Sequence, residues 1–222
     1  MIELRDIIKE YITPNGEIVK ALSDINIVIK EGELVVLKGA SGSGKSTILS
    51  LIASLNKPTS GEVIVDDKRV SKLLDNFASD FRRDTIGFVF QKYNLLPNLS
   101  VEENIILPLV PMNLDEKEVQ HKLKRVLEMF HIEHKKTQLV KSLSGGEQQR
   151  VAIARANINN PKIIIADEPT ANLDENLSLR FIEILQELKE QGKTIVVATH
   201  DPLFFDLGIV DRVINIHKGE IK

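Results

Sequence analysis

The sequence predicts an α/β fold built on a parallel sheet, and three observations carry the prediction. Four short apolar runs are β-branched and uninterrupted: ELVVLKG (33–39), IGFVF (86–90), KIIIA (162–166) and TIVVA (194–198). Runs of this kind read as strands buried on both faces. Helical patterns lie between them, and a glycine-rich turn, GASGSGKST, follows the first run directly.

The first element is an expected β-hairpin. Within residues 1–30, YITPNGEIVKAL sets Asn15-Gly16 between two extended stretches. That is a hairpin signal, so an antiparallel β piece is expected to flank the sheet. ELVVLKG opens the core, and KSTILSLIASL follows it as a helix. Residues 31–91 and 159–222 are expected to form this core, and residues 92–158 an inserted helical lobe. That lobe is charge-rich, as in LDEKEVQHKLKRVLEMFHI, and no strand signal returns until Ile163. NLSLRFIEILQELKEQ precedes the last strand, with Leu177, Phe181, Ile184, Leu185 and Leu188 spaced for one buried face. With no internal repeat, the 222 residues fit a single domain carrying a lobe.

Composition narrows the function. The net charge is −3 and the basic residues occur as short pairs such as Arg82-Arg83 and Lys135-Lys136, a poor footprint for nucleic acid. The absence of cysteine excludes disulfides and thiolate metal sites and is compatible with a reducing compartment. MIELRDIIKEY carries charges where a signal peptide needs an apolar core. No apolar run approaches the ~20 residues of a membrane span. If the protein works at a membrane, another chain must supply the membrane part.

The chemistry sits at strand ends. In GASGSGKST, backbone N–H groups from Ser41, Gly42, Ser43, Gly44 and Thr47 are placed to surround phosphates. Lys45 is placed to reach the β- and γ-phosphates, and the Ser46 hydroxyl to ligate Mg²⁺. Asp167 and Glu168 follow KIIIA, at the carboxyl end of a buried strand where open α/β sheets hold their ligands. Asp167 suits Mg²⁺; Glu168 suits a general base or water-positioning group. By the same rule Gln91, after IGFVF, is a candidate for Mg²⁺ or the attacking water. His200, after TIVVAT, is a candidate for the γ-phosphate. Tyr11, one of two tyrosines in a chain without tryptophan, is a candidate to stack on adenine or a strand residue half buried by its neighbours. His131 and His134 have no further His or Cys nearby and read as a solvated helix end. Leu95, Leu96, Leu99, Ile105 and Leu107 are either a docking surface or the core of the lobe.

A second anion site is written in SLSGGEQQRVAIARA (142–156). Ser144-Gly145-Gly146-Glu147 fits a capping box, but two adjacent glycines suit close approach of an anion to bare N–H groups. That anion belongs either to this chain's nucleotide or to another's.

Taken in order, these motifs resemble those of the ATP-binding subunit of ABC transporters over essentially the full length. GASGSGKST is similar to Walker A, VFQ with Gln91 to the Q-loop, LSGGE to the signature and IIIADE to Walker B. NLD with Asp174 resembles the D-loop, and ATH with His200 the switch histidine. The resemblance implies a P-loop NTPase (RecA-like) core that uses ATP and Mg²⁺, with Tyr11 at the family's adenine-stacking aromatic. It also implies two copies facing head to tail, each ATP lying between the Walker A loop of one and the signature of the other. A membrane permease subunit would hold the dimer at the cytoplasmic face of the inner (cell) membrane.

Within the family, GASGSGKST, QKYNLLPNLSVEENI and ADEPTANLD look most like lipoprotein-releasing and macrolide-export ATPases. A close relative acting on cell-wall hydrolases in cell division is the alternative. Ala171 stands where those groups usually have glycine, and ARANINN where alanine-leucine is usual. Neither departure touches a catalytic position. Soluble ABC-type ATPases of DNA repair or translation carry a long coiled coil or a tandem repeat, and this chain has neither.

Overall fold

The computed structural model describes residues 1–171 and 173–222; Asn172, the first residue of NLD, lies outside them. The predicted hairpin is present as β1 (Ile2–Ile12) and β2 (Ile18–Ile29), closed by a turn at Thr13–Glu17. The core strands are β3 (Leu34–Lys38), β6 (Ile86–Val89), β7 (Ile163–Asp167) and β8 (Thr194–Thr199). With β9 (Arg212–His217) they form a parallel sheet in the order β9-β3-β8-β7-β6, extended by an antiparallel edge strand, β10 (Glu220–Ile221).

Alternation within the apolar runs explains why they are continuous. Leu34, Val36, Ile164, Ala166, Ile195 and Val197 point to one face of the sheet, where they pack with Val126, Val151, Phe181 and Leu185. Val35, Leu37, Ile163, Ile165, Val196 and Ala198 point to the other, packing with helix α1 (Lys45–Ile52) and the hairpin's Ile2, Leu4 and Leu22. Each strand thus buries both its odd and even residues.

Several elements go beyond the sequence pattern. The antiparallel sheet, in the order β2-β1-β4-β5, takes in β4 (Ser60–Val65) and β5 (Lys68–Arg69) from inside the segment expected to be core. Their turn, Asp66-Asp67, has φ 48° and 60°, the pair of positive values that a type I′ hairpin turn needs. Helix α2 (Asp75–Thr85) also lies in that segment. The helical lobe holds α3 (Val101–Ile106), α4 (Glu116–Met129) and α5 (Gly145–Asn157), and α6 (Glu175–Glu190) packs beside it.

Two expectations about side chains need correction. On α6, Phe181, Leu185 and Leu188 are buried as the spacing predicts, but Leu177 and Ile184 are only half-buried, and Ser178 and Ile182 complete the inner face. The apolar segment of the lobe divides. Ile105 is in the core, Leu95, Leu99 and Leu107 are half-buried, and Leu96 alone of the five is exposed, at 47%. A single docking surface made of all five residues does not exist.

Candidate functional site

Three register pairs align the strand ends: Lys38 with Thr199, Ala198 with Asp167, and Ala166 with Val89. The loops that leave these strands therefore meet at one edge of the sheet. A cavity of ≈220 Å³ opens there, lined by residues 41–47, Ala21, Gln91, Glu168 and His200. The sequence-predicted phosphate loop, glutamine, glutamate and histidine thus share one pocket.

The loop is shaped to receive an anion. Gly44 caps α1 with φ 109°, no side chain caps the helix, and no acid lies in its first turn. A Cβ at Gly44 would stand 2.7 Å from Leu22 Cδ2, so glycine is required by both conformation and space. The uncapped N–H groups and the helix dipole favour negative charge. The hairpin braces the loop: Ser23 N donates to Gly219 O at 2.8 Å and Gly219 N to Ser43 O at 2.9 Å.

Lys45 is buried and its Nζ donates to Gly39 O at 2.7 Å and Ala40 O at 3.2 Å. The same ammonium lies 3.1 Å from Glu168 Oε1. Glu168 Oε2 is in turn 2.9 Å from His200 Nδ1 and accepts from His200 N at 3.3 Å. Burial pushes the Glu168 carboxyl up, but the bonds from His200 and Lys45 outweigh it and hold the group below the usual glutamate value. Glu168 has φ 45°, a left-handed conformation uncommon for this residue type, and its N–H donates to Ala198 O at 2.8 Å.

Asp167 and Ser46 form the second pair, with Ser46 Oγ 3.0 Å from Asp167 Oδ1. Burial raises the Asp167 carboxyl above its ordinary value; the Ser46 bond pulls it down, and Glu168 next door pushes it further up. A desolvated carboxylate beside a hydroxyl suits a hard divalent cation. No group of three or more His, Cys, Asp or Glu among the described residues is arranged to hold a metal ion. Mg²⁺ does not need one, since it binds through one or two carboxylates plus substrate phosphates and water.

Other predicted site residues lie outside this pocket. Tyr11 is on β1, 38% exposed, with Lys9 Nζ 4.8 Å from its ring centroid. Ser144, Gly145 and Gly146 form the start of α5. Ser144 Oγ accepts from Glu147 N, and Glu147 Oε2 accepts from Ser144 N at 2.8 Å, so the predicted capping box is present. Ser144 and Gly145 are exposed, and a Cβ on Gly145 would meet nothing within 4 Å. Gly146 differs. A Cβ there would come 2.5 Å from Leu177 Cδ2, so a side chain at this position would make Leu177 shift. Asp174 caps α6, its Oδ1 accepting from Leu177 N at 2.9 Å. His131 and His134 are exposed.

Sequence reasoning missed the groups that position the base. Thr170 Oγ1 donates to Asp201 Oδ2 at 2.7 Å, and Asp201 N donates to Thr199 Oγ1 at 3.0 Å. These bonds tie the loop after Glu168 to the loop carrying His200. The buried Gln149 of α5 donates from Nε2 to Pro169 O at 2.8 Å. No local pattern marks such residues, because each acts on a segment distant in sequence.

The pocket can bind phosphate, hold a divalent cation and present a carboxylate to water. A family model described as ABC transporter matches residues 22–171. The chain is 45% identical over 231 residues to MJ0796 of Methanocaldococcus jannaschii, an uncharacterized ABC transporter ATP-binding protein, covering 100% of this chain and 95% of that one. A dimeric structure of MJ0796 in a post-hydrolysis state bound to ADP and Pi matches with a TM-score of 0.91 at 42% identity, covering 100% of this chain and 97% of that chain. Similarity extends to the macrolide export ATP-binding/permease protein MacB of Campylobacter jejuni, 44% identical over 200 residues, which are 90% of this chain and 31% of that protein. cbiO1 of Clostridium perfringens, part of the transporter complex cbiONQ, matches with a TM-score of 0.85 at 32% identity, covering 100% of this chain and 86% of that chain.

Proposed function

We propose, from the premise that this chain belongs to the ABC transporter family and is an ATPase of it, that two copies close on ATP and power a separate membrane subunit. The observation that carries this reading is the meeting of Lys45, Glu168 and His200 in the pocket formed by the phosphate loop. Residues 41–47 bind the triphosphate, and Tyr11 stacks on adenine. Ser46 and Asp167, with Gln91, are the groups to hold Mg²⁺, which neutralises phosphate charge when bound. Glu168 takes or orients the proton of the attacking water once Lys45 turns to the phosphates, and His200 steadies the γ-phosphate.

Ser144, Gly145, Gly146 and Asp174 serve the nucleotide held by the second copy. Ser144 and Gly145 are exposed at the start of α5, open to a second copy, which supports that assignment. The dimeric state of MJ0796 and the complex containing cbiO1 support the two-copy and membrane-subunit parts. No helix among the described residues is long and apolar enough to cross a membrane. The membrane-subunit reading assigns the chain to the cytoplasmic face of the cell membrane, held there by its permease partner. A groove of ≈280 Å³ lined by Phe88, Phe90, Pro108 and Arg155, among others, is the surface offered to that partner. Its aromatic groups suit such a contact, whereas the Arg155 guanidinium already donates to the carbonyls of Tyr93 and Asn94. The MacB similarity supports an export-type system, with the cell-division type as the alternative.

Glu168→Gln tests the core of the reading. ATP binding should persist while turnover falls ~10²- to 10⁴-fold, the usual contribution of a general base. Turnover within a few-fold of wild type would remove Glu168 from the mechanism.

A further inference from the structure

Helix α5 is attached to both nucleotide sites of the proposed dimer. Its exposed first turn carries Ser144 and Gly145, which face the other copy's nucleotide in the two-copy reading. One turn further on, Gln149 is buried and donates to Pro169 O at 2.8 Å. Pro169 directly follows Glu168, and beyond it Thr170 is bonded to Asp201, the neighbour of His200. The segment 168–170 is thus anchored to α5 at its centre and to the His200 loop at its end.

This segment has reason to move. Glu168 is committed to Lys45 at 3.1 Å and to His200 at 2.9 Å, and it must be re-aimed before it can meet water. Its left-handed backbone is held by surrounding contacts rather than by its own preference. The Gln149 bond is buried, so parting it would strand two polar groups; the loop should follow the helix instead. Gln149 also stands beside Val151, Ala152, Ile153 and Ala154, all buried. Packing alone would be served by methionine at its position.

We propose that Gln149 is a positioning residue that couples the contact between α5 and the partner's nucleotide to the placement of this chain's own Glu168. The proposal rests on the two-copy reading. Seating of the partner's phosphate on the start of α5 fixes the helix, Gln149 carries that to the Pro169 carbonyl, and the carboxylate next to it takes its working position. Each site is then set by the occupancy of the other.

The test uses Gln149→Met, which keeps length and removes the donor. ATP-dependent dimer formation is measured by size-exclusion chromatography in a Glu168→Gln background, and single-turnover hydrolysis with Glu168 intact. The expected result is an unchanged dimer yield, a KM within about twofold of wild type, and a single-turnover rate lower by roughly 10- to 100-fold, as misplacement of a reacting group gives. A dimer that forms normally and hydrolyses at the wild-type rate overturns the proposal. So does a dimer yield that falls in step with the rate, which marks a structural role only. If Gln149→Met fails to fold by circular dichroism, Gln149→Asn, one methylene short of the carbonyl, is read by the same criteria. If Glu168→Gln alone forms no ATP-dependent dimer, the two-copy reading itself has failed and the proposal falls with it.

Discussion

The start of α1 and, in the proposed dimer, the start of α5 are both helix N-termini offered to an anion, and they are built in opposite ways. At α1 the cap is a bare glycine, the first turn holds no acid, and a buried lysine from the same chain stands in the pocket. At α5 the helix is already capped by Ser144, the first turn holds Glu147, and the surface is open. The first is short of negative charge by construction. The second has half satisfied itself, which leaves the N–H groups at its glycines as the offer. A site like α1 can capture a nucleotide alone, whereas one like α5 can only read a phosphate that something else delivers.

The largest expected effect separates the two. Lys45→Ala should abolish both nucleotide binding and hydrolysis. Gly145→Asp should leave ATP binding by the single chain within about twofold while cutting hydrolysis on the order of 10²- to 10³-fold, as loss of a preorganised donor does. An aspartate in a first helical turn favours the helix, so folding should be intact. Equilibrium binding of a fluorescent ATP analogue alongside a phosphate-release assay checks both. Equal loss of binding in the two variants would erase the distinction.

A smaller effect concerns the carboxylates. Asp167 has its pKa raised mainly by burial, so in the free chain its charge opposes folding at neutral pH, and that cost is relieved as pH falls through the raised value. Glu168 has its pKa lowered, so its contribution is present above the unfolded value and is lost as pH falls through the folded one. Asp167→Asn should therefore raise the melting temperature at pH 7 without nucleotide while impairing Mg²⁺-dependent hydrolysis. A lower melting temperature would contradict the assigned cost of burial.

The smallest effect sharpens the account of α5. Lys135 Nζ is 3.0 Å from Glu147 Oε1 and offsets a negative charge that an incoming phosphate would meet. Lys135→Ala should slow hydrolysis a few-fold, and adding Glu147→Gln should restore it, since the second change removes the charge left bare. If the double variant is slower than the single, the capping role of Glu147 outweighs its charge.

The same contrast explains what the sequence could disclose. The α1 site was readable because a strand, a loop and a helix start within a dozen residues carry it. Asp167, Glu168, Gln91 and His200 were legible as candidates because each lies at or just beyond the end of an apolar strand. The contact that Gly146 makes with Leu177 was not, since Leu177 is on another helix. Strand β9 was missed because it is only partly buried and lacks the continuous apolar run. Strands β4 and β5 were missed because their turn is Asp66-Asp67 rather than the glycine-containing pair that marks such hairpins. Gln149, Thr170 and Asp201 depend on partners that only the fold brings near.

The central claim, that α5 serves the nucleotide of a second copy, is tested most directly by mixing defective chains. Gly145→Asp is the right lesion, because substitution at Gly146 would also collide with Leu177. Lys45→Ala and Gly145→Asp chains should each be inactive alone. In a mixed dimer, the intact phosphate loop of one meets the intact α5 start of the other, and ATPase activity should rise above that of either variant alone yet stay well below wild type, because the Glu168 of the sound site sits on the chain whose own α5 start is damaged. An excess of a chain carrying both lesions should poison the wild type, because every mixed site then has one defect. The account is contradicted if the two single variants stay inactive when mixed while wild-type activity is undiminished by the doubly defective chain, for then both elements act within one copy.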